Sequence, residues 1–211
     1  MDFIEFPKMA RLSRNVIISE KLDGTNATIY IEESDRCGGF HAGYALSTDN
    51  GFALFAGSKN RWINPENDNY GFARWCKQNS EDLFELGPGW HRGEWWGQGI
   101  QRGYGLTEKR YSLFNADRWC SYGKEPQQRH TNDPRVVKMQ DVAPACCHVV
   151  PVLHQGIFDT TDASNVLNVL KRDGSRAVPG FMRPEGIVIW HTAGQVSFKK
   201  TIEKDESPKS L

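Results

Sequence analysis

No stretch of this chain stays apolar for anything near the roughly 20 residues that a membrane-spanning helix needs, so it does not read as a membrane protein. Its start, Met1 to Lys8, carries acidic side chains and no apolar signal core, which gives no sign of export. Cysteine is scarce and odd in number. There are five, Cys146 and Cys147 are adjacent, and none has metal-ligand spacing, which fits reduced thiols in a cytoplasm better than a disulfide framework. Excess charge is lacking as well: 26 basic residues balance 26 acidic ones. Any nucleic-acid partner would therefore be held by local rather than net charge. Arg102, Lys109, Arg110 and Arg118 are candidates for such a patch, as is the tail with Lys199, Lys200, Lys204 and Lys209; an ordinary mixed surface is the alternative. Repeats and long linkers are absent.

Aromatic side chains are plentiful. Seven Trp, eleven Phe and six Tyr, within 38% apolar content, argue for a folded globule rather than a disordered chain. A length of 211 residues suits one large or two small domains with a substantial core. The pattern of elements reads as one α+β domain over residues 1–205, with 206–211 as a flexible tail. Val16-Ile17-Ile18 forms a buried strand, and Ala27, Ile29 and Ile31 alternate along a second. Asn50-Gly51 is a hairpin signal. Asp68 or Asn69 caps a helix with Phe72, Trp75 and Cys76 on one face. Ser80 starts a short turn carrying Leu83 and Phe84 inward, and Gly87-Pro88-Gly89 stops it before a strand from His91 to Trp96. Thr161 or Asp162 caps a helix striped by Val166, Leu167 and Leu170 and closed by Gly174. Gly186 to Trp190 and Gln195 to Phe198 pair as a hairpin, and Ser121 to Asp133 is an exposed loop.

One lysine stands in a setting suited to a nucleophilic amine. In Glu20-Lys21-Leu22-Asp23-Gly24-Thr25-Asn26 it lies where two strands meet, and Gly24 lets the backbone turn tightly. Further clusters follow in order: Ser58-Lys59-Asn60-Arg61, Gly93-Glu94-Trp95-Trp96-Gly97, Tyr111-Ser112-Leu113-Phe114-Asn115, Pro184-Glu185-Gly186-Ile187-Val188 and Ser197-Phe198-Lys199-Lys200. Glu94 sits in a glycine-flanked aromatic strand, where a carboxylate needs a partner. Glu185 stands at the mouth of an apolar strand, where its oxygens suit a hard divalent cation.

This series resembles the ordered motifs of the covalent nucleotidyltransferases, namely ATP-dependent RNA and DNA ligases and messenger-RNA capping enzymes. The Gly24-Thr25-Asn26 extension looks most like the nick-sealing RNA ligases of phages. Gly93 to Gly105, with Asn69 to Ala73 before it, looks like small viral and bacterial RNA ligase proteins. The resemblance runs from about residue 15 to residue 204, and Ala116 to Val150 matches nothing in it. It implies an α+β, antiparallel-sheet nucleotidyltransferase (adenylation) domain of ATP-grasp-like ligase and capping-enzyme type; as a departure from that family, the few residues after Lys200 lead us to expect it without an OB-fold or helical C-terminal domain.

The same resemblance implies site roles. Lys21 would attack ATP, and Glu94 would hold the ribose hydroxyls. Phe114 would stack on adenine; simple core packing is the alternative there. Glu185 would bind Mg²⁺ or Mn²⁺, and Lys199 would contact phosphate. Glu20, Leu22, Asn26, Lys59, Arg61, Val188 and Lys200 complete the expected nucleotide contacts. Departures from the family pattern are visible. The family spaces its two phosphate-binding lysines one residue apart, whereas Lys199 and Lys200 are adjacent, so strand alternation turns Lys200 away. Lys59 stands where the family has arginine, Asn115 where aspartate is common, and Asp23 where the nick-sealing branch often has histidine. The activity implied is ATP-dependent ligation of 5′-phosphate and 3′-hydroxyl ends, on RNA in preference to DNA. A DNA ligase, a GTP-using capping enzyme and a non-catalytic RNA-end-binding module are the alternatives.

Overall fold

A computed structural model of the chain describes residues 3–6, 8–34, 44–121, 140–141, 143–203 and 205. The anticipated loop beyond Ser121, the tail 206–211, and Lys204 and Lys209 lie outside the described residues. In chain order the elements begin with β1 (Asn15–Lys21), β2 (Thr25–Glu33), β3 (Ser47–Asp49), β4 (Phe52–Gly57), β5 (Trp62–Ile63), α1 (Phe72–Gln78) and α2 (Ser80–Phe84). They continue with β6 (Gly89–Gly97), β7 (Lys109–Leu113), α3 (Ala116–Trp119), β8 (Cys120–Ser121), β9 (Gln140–Asp141) and β10 (His148–Val149). Last come β11 (Val152–Ile157), α4 (Thr160–Asp173), β12 (Gly186–His191) and β13 (Val196–Thr201). This is a mixed α+β chain, and every described ladder except β7–β10 is antiparallel. It divides into two compact units, and the boundary near the N-terminus falls between Lys21 and Leu22.

The first unit is built from described residues of Met1–Lys21 and Pro151–Leu211. Its sheet runs β11-β1-β12-β13. Val16 and Ile18 of β1 and Ile187 and Ile189 of β12 pack with Ala163 and Leu170 of α4 into one apolar cluster. Each large aliphatic buried there stabilises the fold by about 1.5–3 kcal/mol. The cap of α4 is Asp159 rather than Thr161 or Asp162: its carboxylate accepts from the Thr161 N–H at 2.6 Å. That amide is one of the helix's orphan donors, and the extended backbone of Asp159 aims a carboxylate at it. Gly174 closes the helix as anticipated, with φ 83°. Gln195, expected to open the last strand, has φ 49° and belongs to the turn.

The second unit is built from described residues of Leu22–Asn132 and Lys138–Val150. Its main sheet runs β10-β7-β6-β2-β4-β3, with β5 added to β4, while β8 and β9 pair separately. Asn50 and Gly51 have φ 46° and 81°, the left-handed pair that a two-residue hairpin turn requires between β3 and β4. Asp68 caps α1 from outside the cap position, which Gly71 occupies: its carboxylate accepts from the Ala73 and Arg74 N–H groups at 2.8 and 3.2 Å. Phe72 of α1 then reaches Trp95 and Tyr111 across ring distances of 5.3 and 5.0 Å, which forms the core under one face of the sheet.

Candidate active site

Lys21 closes β1 opposite Gly186, and its ammonium lies 2.7 Å from Glu185 Oε2. Both side chains are largely covered, at 23% and 16% exposure. Glu185 is fixed by the ladder behind it, where the Ile202 N–H donates to its carbonyl at 2.9 Å. Gly186 is required in this place. A Cβ there would collide with the Lys200 carbonyl oxygen and approach Thr201 Cα to 2.7 Å. β12 can therefore run against β13 only with glycine after the glutamate.

Register decides which side chains share a face. Ser19 opposes Val188, and Val188 opposes Lys199, while Lys21 opposes Gly186. Opposed and alternate residues point the same way, so Lys21, Val188 and Lys199 stand on one face of the sheet. Ile187 opposes Lys200, which puts Lys200 on the other face, the side of Ile18, Ile189 and α4. The Lys200 ammonium lies 3.9 Å from Asp205.

Glu20 contributes position. Its side chain is 1% exposed, and its carboxylate accepts from Ser175 Oγ at 2.6 Å, from the Arg176 N–H at 2.7 Å and from the Ala177 N–H at 3.0 Å. Burial raises its pKa above the ordinary carboxylate value, against the lowering effect of those hydrogen bonds. This carboxylate is an internal anchor for residues 175–177.

In the second unit Glu94 lies on β6, 7% exposed, directly opposite Asn26 of β2. Its Oε1 accepts from the Gly24 N–H at 3.0 Å and its Oε2 from Asn26 Nδ2 at 3.4 Å. Gly24 has no room for a side chain, since a Cβ would collide with the Trp95 carbonyl oxygen and lie 2.7 Å from Trp96 Cβ. Asp23 is held twice: its N–H donates to the Tyr104 hydroxyl at 2.9 Å, and its carboxylate accepts from Arg102 Nε at 2.8 Å. Tyr104 in turn packs edge-on against Trp96, with centroids 4.8 Å apart. Thr25 Oγ1 accepts from Asn69 Nδ2 at 3.2 Å. Phe114 is 44% exposed, and its N–H donates to the Arg92 carbonyl at 3.0 Å. That bond continues the β6–β7 ladder and sets Phe114 on the face that carries Glu94, so the ring is open rather than packed in the core. Leu22 is core at 3% exposure. Lys59 and Arg61 are exposed on the turn into β5, and Arg61 Nη1 donates to the Asn67 carbonyl at 3.1 Å.

Two features escaped the sequence. Arg102 enters only as one charge among many and Tyr104 not at all, although both brace the turn after Lys21. The glycine density from Gly97 to Gly105 was the available signal, with Gly97, Gly99, Gly103 and Gly105 all at positive φ. The proposed basic patch is also rearranged. Arg102 is paired with Asp23 and Arg110 with Glu108, while Lys109 donates to the Tyr70 carbonyl and Arg118 to the Leu86 carbonyl.

Glu185 fits a divalent cation: its hard oxygen already holds a cation, the Lys21 ammonium. No group of three or more His, Cys, Asp or Glu side chains suited to a metal occurs among the described residues. Water and substrate phosphate would then complete the shell, as is usual for Mg²⁺.

A family model described as RNA ligase matches residues 14–203. Among solved structures the chain is similar to a Naegleria gruberi RNA ligase mutant with ATP and Mn, at TM-score 0.54 and 17% identity over 91% of this chain and 51% of that one. A second mutant of that ligase, with AMP and Mn, matches at TM-score 0.52 and 20% identity over 90% and 50%. The chain thus spans about half the length of these structures. No curated protein sequence matches it.

Proposed function

The chain belongs to the RNA ligase family, and we propose from that premise that it joins RNA ends with ATP. The two larger sheets, antiparallel except for the β7–β10 ladder, are assigned to the nucleotidyltransferase fold of ligases and capping enzymes, with residues 1–205 acting as one catalytic domain. Lys21 Nζ attacks the α-phosphorus of ATP; the bond to pyrophosphate breaks and a lysyl-AMP phosphoramidate forms. The 5′-phosphate of RNA then takes the AMP and frees Lys21. A 3′-hydroxyl attacks that adenylated end, AMP leaves, and a phosphodiester remains. The observation that carries this reading is the Lys21–Glu185 pair, with Lys199 on the same sheet face.

The attacking amine must be neutral, and neighbouring positive charge favours that form. Lys199 balances the phosphate oxygens as they reorganise, a contribution that usually dominates phosphoryl transfer. A divalent cation held by Glu185, Mg²⁺ or Mn²⁺, would add to that balance and relieve Lys21 of its carboxylate partner. Glu94 and Asn26 are assigned the ribose, Phe114 the adenine, and Lys59, Arg61 and Val188 secondary nucleotide contacts. Lys200 and the Glu20 side chain are left outside the nucleotide's contacts. The free thiols of Cys76 and Cys146 support a reducing, cytoplasmic setting. No helix among the described residues is long and apolar enough to cross a membrane.

The test is incubation with α-labelled ATP and Mg²⁺, followed by a denaturing gel and intact mass. An AMP adduct that disappears in Lys21→Ala is the expected result. A Lys21→Ala protein that is still labelled removes Lys21 from its role.

A further inference from the structure

The sheet face that carries Glu94 also carries an aromatic group for which the chemistry above has no use. Register lays this face out in rows. Glu94 opposes Asn26 and Ser112, and two residues along β6, Arg92 opposes Thr28 beside Phe114. Two residues farther, Trp90 opposes Tyr30, which opposes Phe55. Rows two residues apart are separated by about 7 Å, so Trp90 stands about 13 Å from Glu94 with Arg92 midway. The Trp90 ring stacks on Tyr30 with centroids 4.4 Å apart and on Trp62 at 5.5 Å, interplanar angles being 30° and 24°. Trp90 is nevertheless 56% exposed while packed against these two rings.

We propose that Trp90, backed by Tyr30 and Trp62, is a stacking platform for a nucleobase of a single-stranded RNA substrate, with Arg92 on an adjoining phosphate. The occupant is chosen by charge and by continuity. Arg92, Lys59 and Arg61 are exposed beside the platform. On its far side the Tyr30 hydroxyl donates to the Glu32 carboxylate at 3.1 Å, so an anionic backbone would run toward Arg92 rather than toward Glu32. Aromatic faces bind any base, and such contacts dominate sequence-tolerant single-strand binding. The placement rests on the ligase reading, since that reading makes Glu94 the nucleotide end of this face.

The test measures fluorescence anisotropy of a 5′-phosphorylated single-stranded RNA oligonucleotide with wild type, Trp90→Ala and Trp90→Phe, alongside self-adenylation without RNA. Trp90→Ala should weaken RNA binding about 5- to 150-fold, the usual effect of removing one base-stacking aromatic. Self-adenylation should stay at the wild-type level while the lost ring contacts lower the melting temperature by a few degrees, and Trp90→Phe should recover most of the affinity. An abasic site in the oligonucleotide should weaken binding to wild type but not to Trp90→Ala. Affinity of Trp90→Ala within about twofold of wild type overturns the platform, being less than the smallest stacking loss. So does a raised KM for ATP, or an altered oligomeric state, at unchanged RNA affinity. Trp90-dependent RNA binding in a protein that forms no AMP adduct sustains the platform and sinks the ligase reading. Adduct formation with Trp90-independent RNA binding does the reverse.

Discussion

Glu20→Ala should destabilise the protein by about 3–5 kcal/mol, while Glu20→Gln should stay within about 1 kcal/mol of wild type. Truncation leaves the Arg176 and Ala177 N–H groups, now 2.7 and 3.0 Å from the carboxylate, buried without an acceptor. Each such donor costs about 1–3 kcal/mol, and the vacated volume adds to that. Ser175 contributes less, because its hydroxyl can turn and its oxygen already accepts from the Val178 N–H at 3.1 Å. Glutamine keeps one oxygen for both amides and presents its NH₂ to the Ser175 oxygen. For a chain of this size each kcal/mol moves Tm by about 2–4 °C, so Glu20→Ala should melt roughly 6–20 °C lower. Circular dichroism melts and the α-labelled ATP adduct assay read the two effects separately. Glu20→Ala melting within about 2 °C of wild type would refute the anchor. A folded Glu20→Gln that forms no adduct would mean that the carboxylate touches the nucleotide after all.

The same residue carries a pH signature. Burial raises the folded-state pKa of Glu20 above its ordinary 4.5, so the folded chain holds this proton more tightly than the unfolded chain does. Its contribution to stability is complete below pH 4.5 and is lost as pH climbs through the raised value. The stability of wild type relative to Glu20→Gln should therefore fall as pH rises from about 4 toward neutrality. A difference that grows with pH would reverse the sign and the explanation.

Two further predictions concern the strands around Lys21. Lys199→Ala should slow lysyl-AMP formation by about 10²–10³-fold, the loss expected when one preorganised donor to developing charge is removed. Lys200→Ala, on the helix side of the sheet, should stay near wild type in single-turnover labelling; equal losses would show that register does not decide which lysine meets phosphate. Gly24→Ala should destabilise by about 1–3 kcal/mol or more, because the added Cβ meets a backbone carbonyl and a fixed Trp96 rather than a flexible side chain. Thermal melts check this, and an alanine variant of unchanged Tm would mean that the Trp95–Trp96 backbone yields easily.

How much was legible in the sequence depended on where each residue's partners lie in the chain. β1 and β2 announce themselves, since a run of Val and Ile and a strict alternation are both local patterns. The Asn50-Gly51 turn and the buried face of α1 are local too. Local alternation also anticipated that Lys199 and Lys200 point oppositely. Trp62 and Ile63 form a strand only because Gly57 and Ala56 lie opposite them, and nothing in two residues signals that. The Asp23–Arg102 and Asp23–Tyr104 contacts span 79 and 81 residues, and the Glu20–Ser175 bond spans 155. The resemblance assigns Glu20 to the nucleotide, and nothing local signals that its carboxylate also anchors three residues near the far end of the chain.

Charge shows why such long-range pairing matters for function. The four cations of the anticipated patch are committed within the second unit: Arg102 and Arg110 are matched by carboxylates, and Lys109 and Arg118 are tethered to carbonyls. A chain of zero net charge supplies no long-range attraction for a polyanion either. Among the described residues on the face that carries Glu94, Arg92 is an exposed cation without an ion-pair partner. Under the proposed ligase function, affinity for RNA would draw on contacts whose strength does not depend on net charge. Base stacking meets that condition, and Trp90 and Phe114 are open rings two rows and one row from Glu94 on the same sheet face.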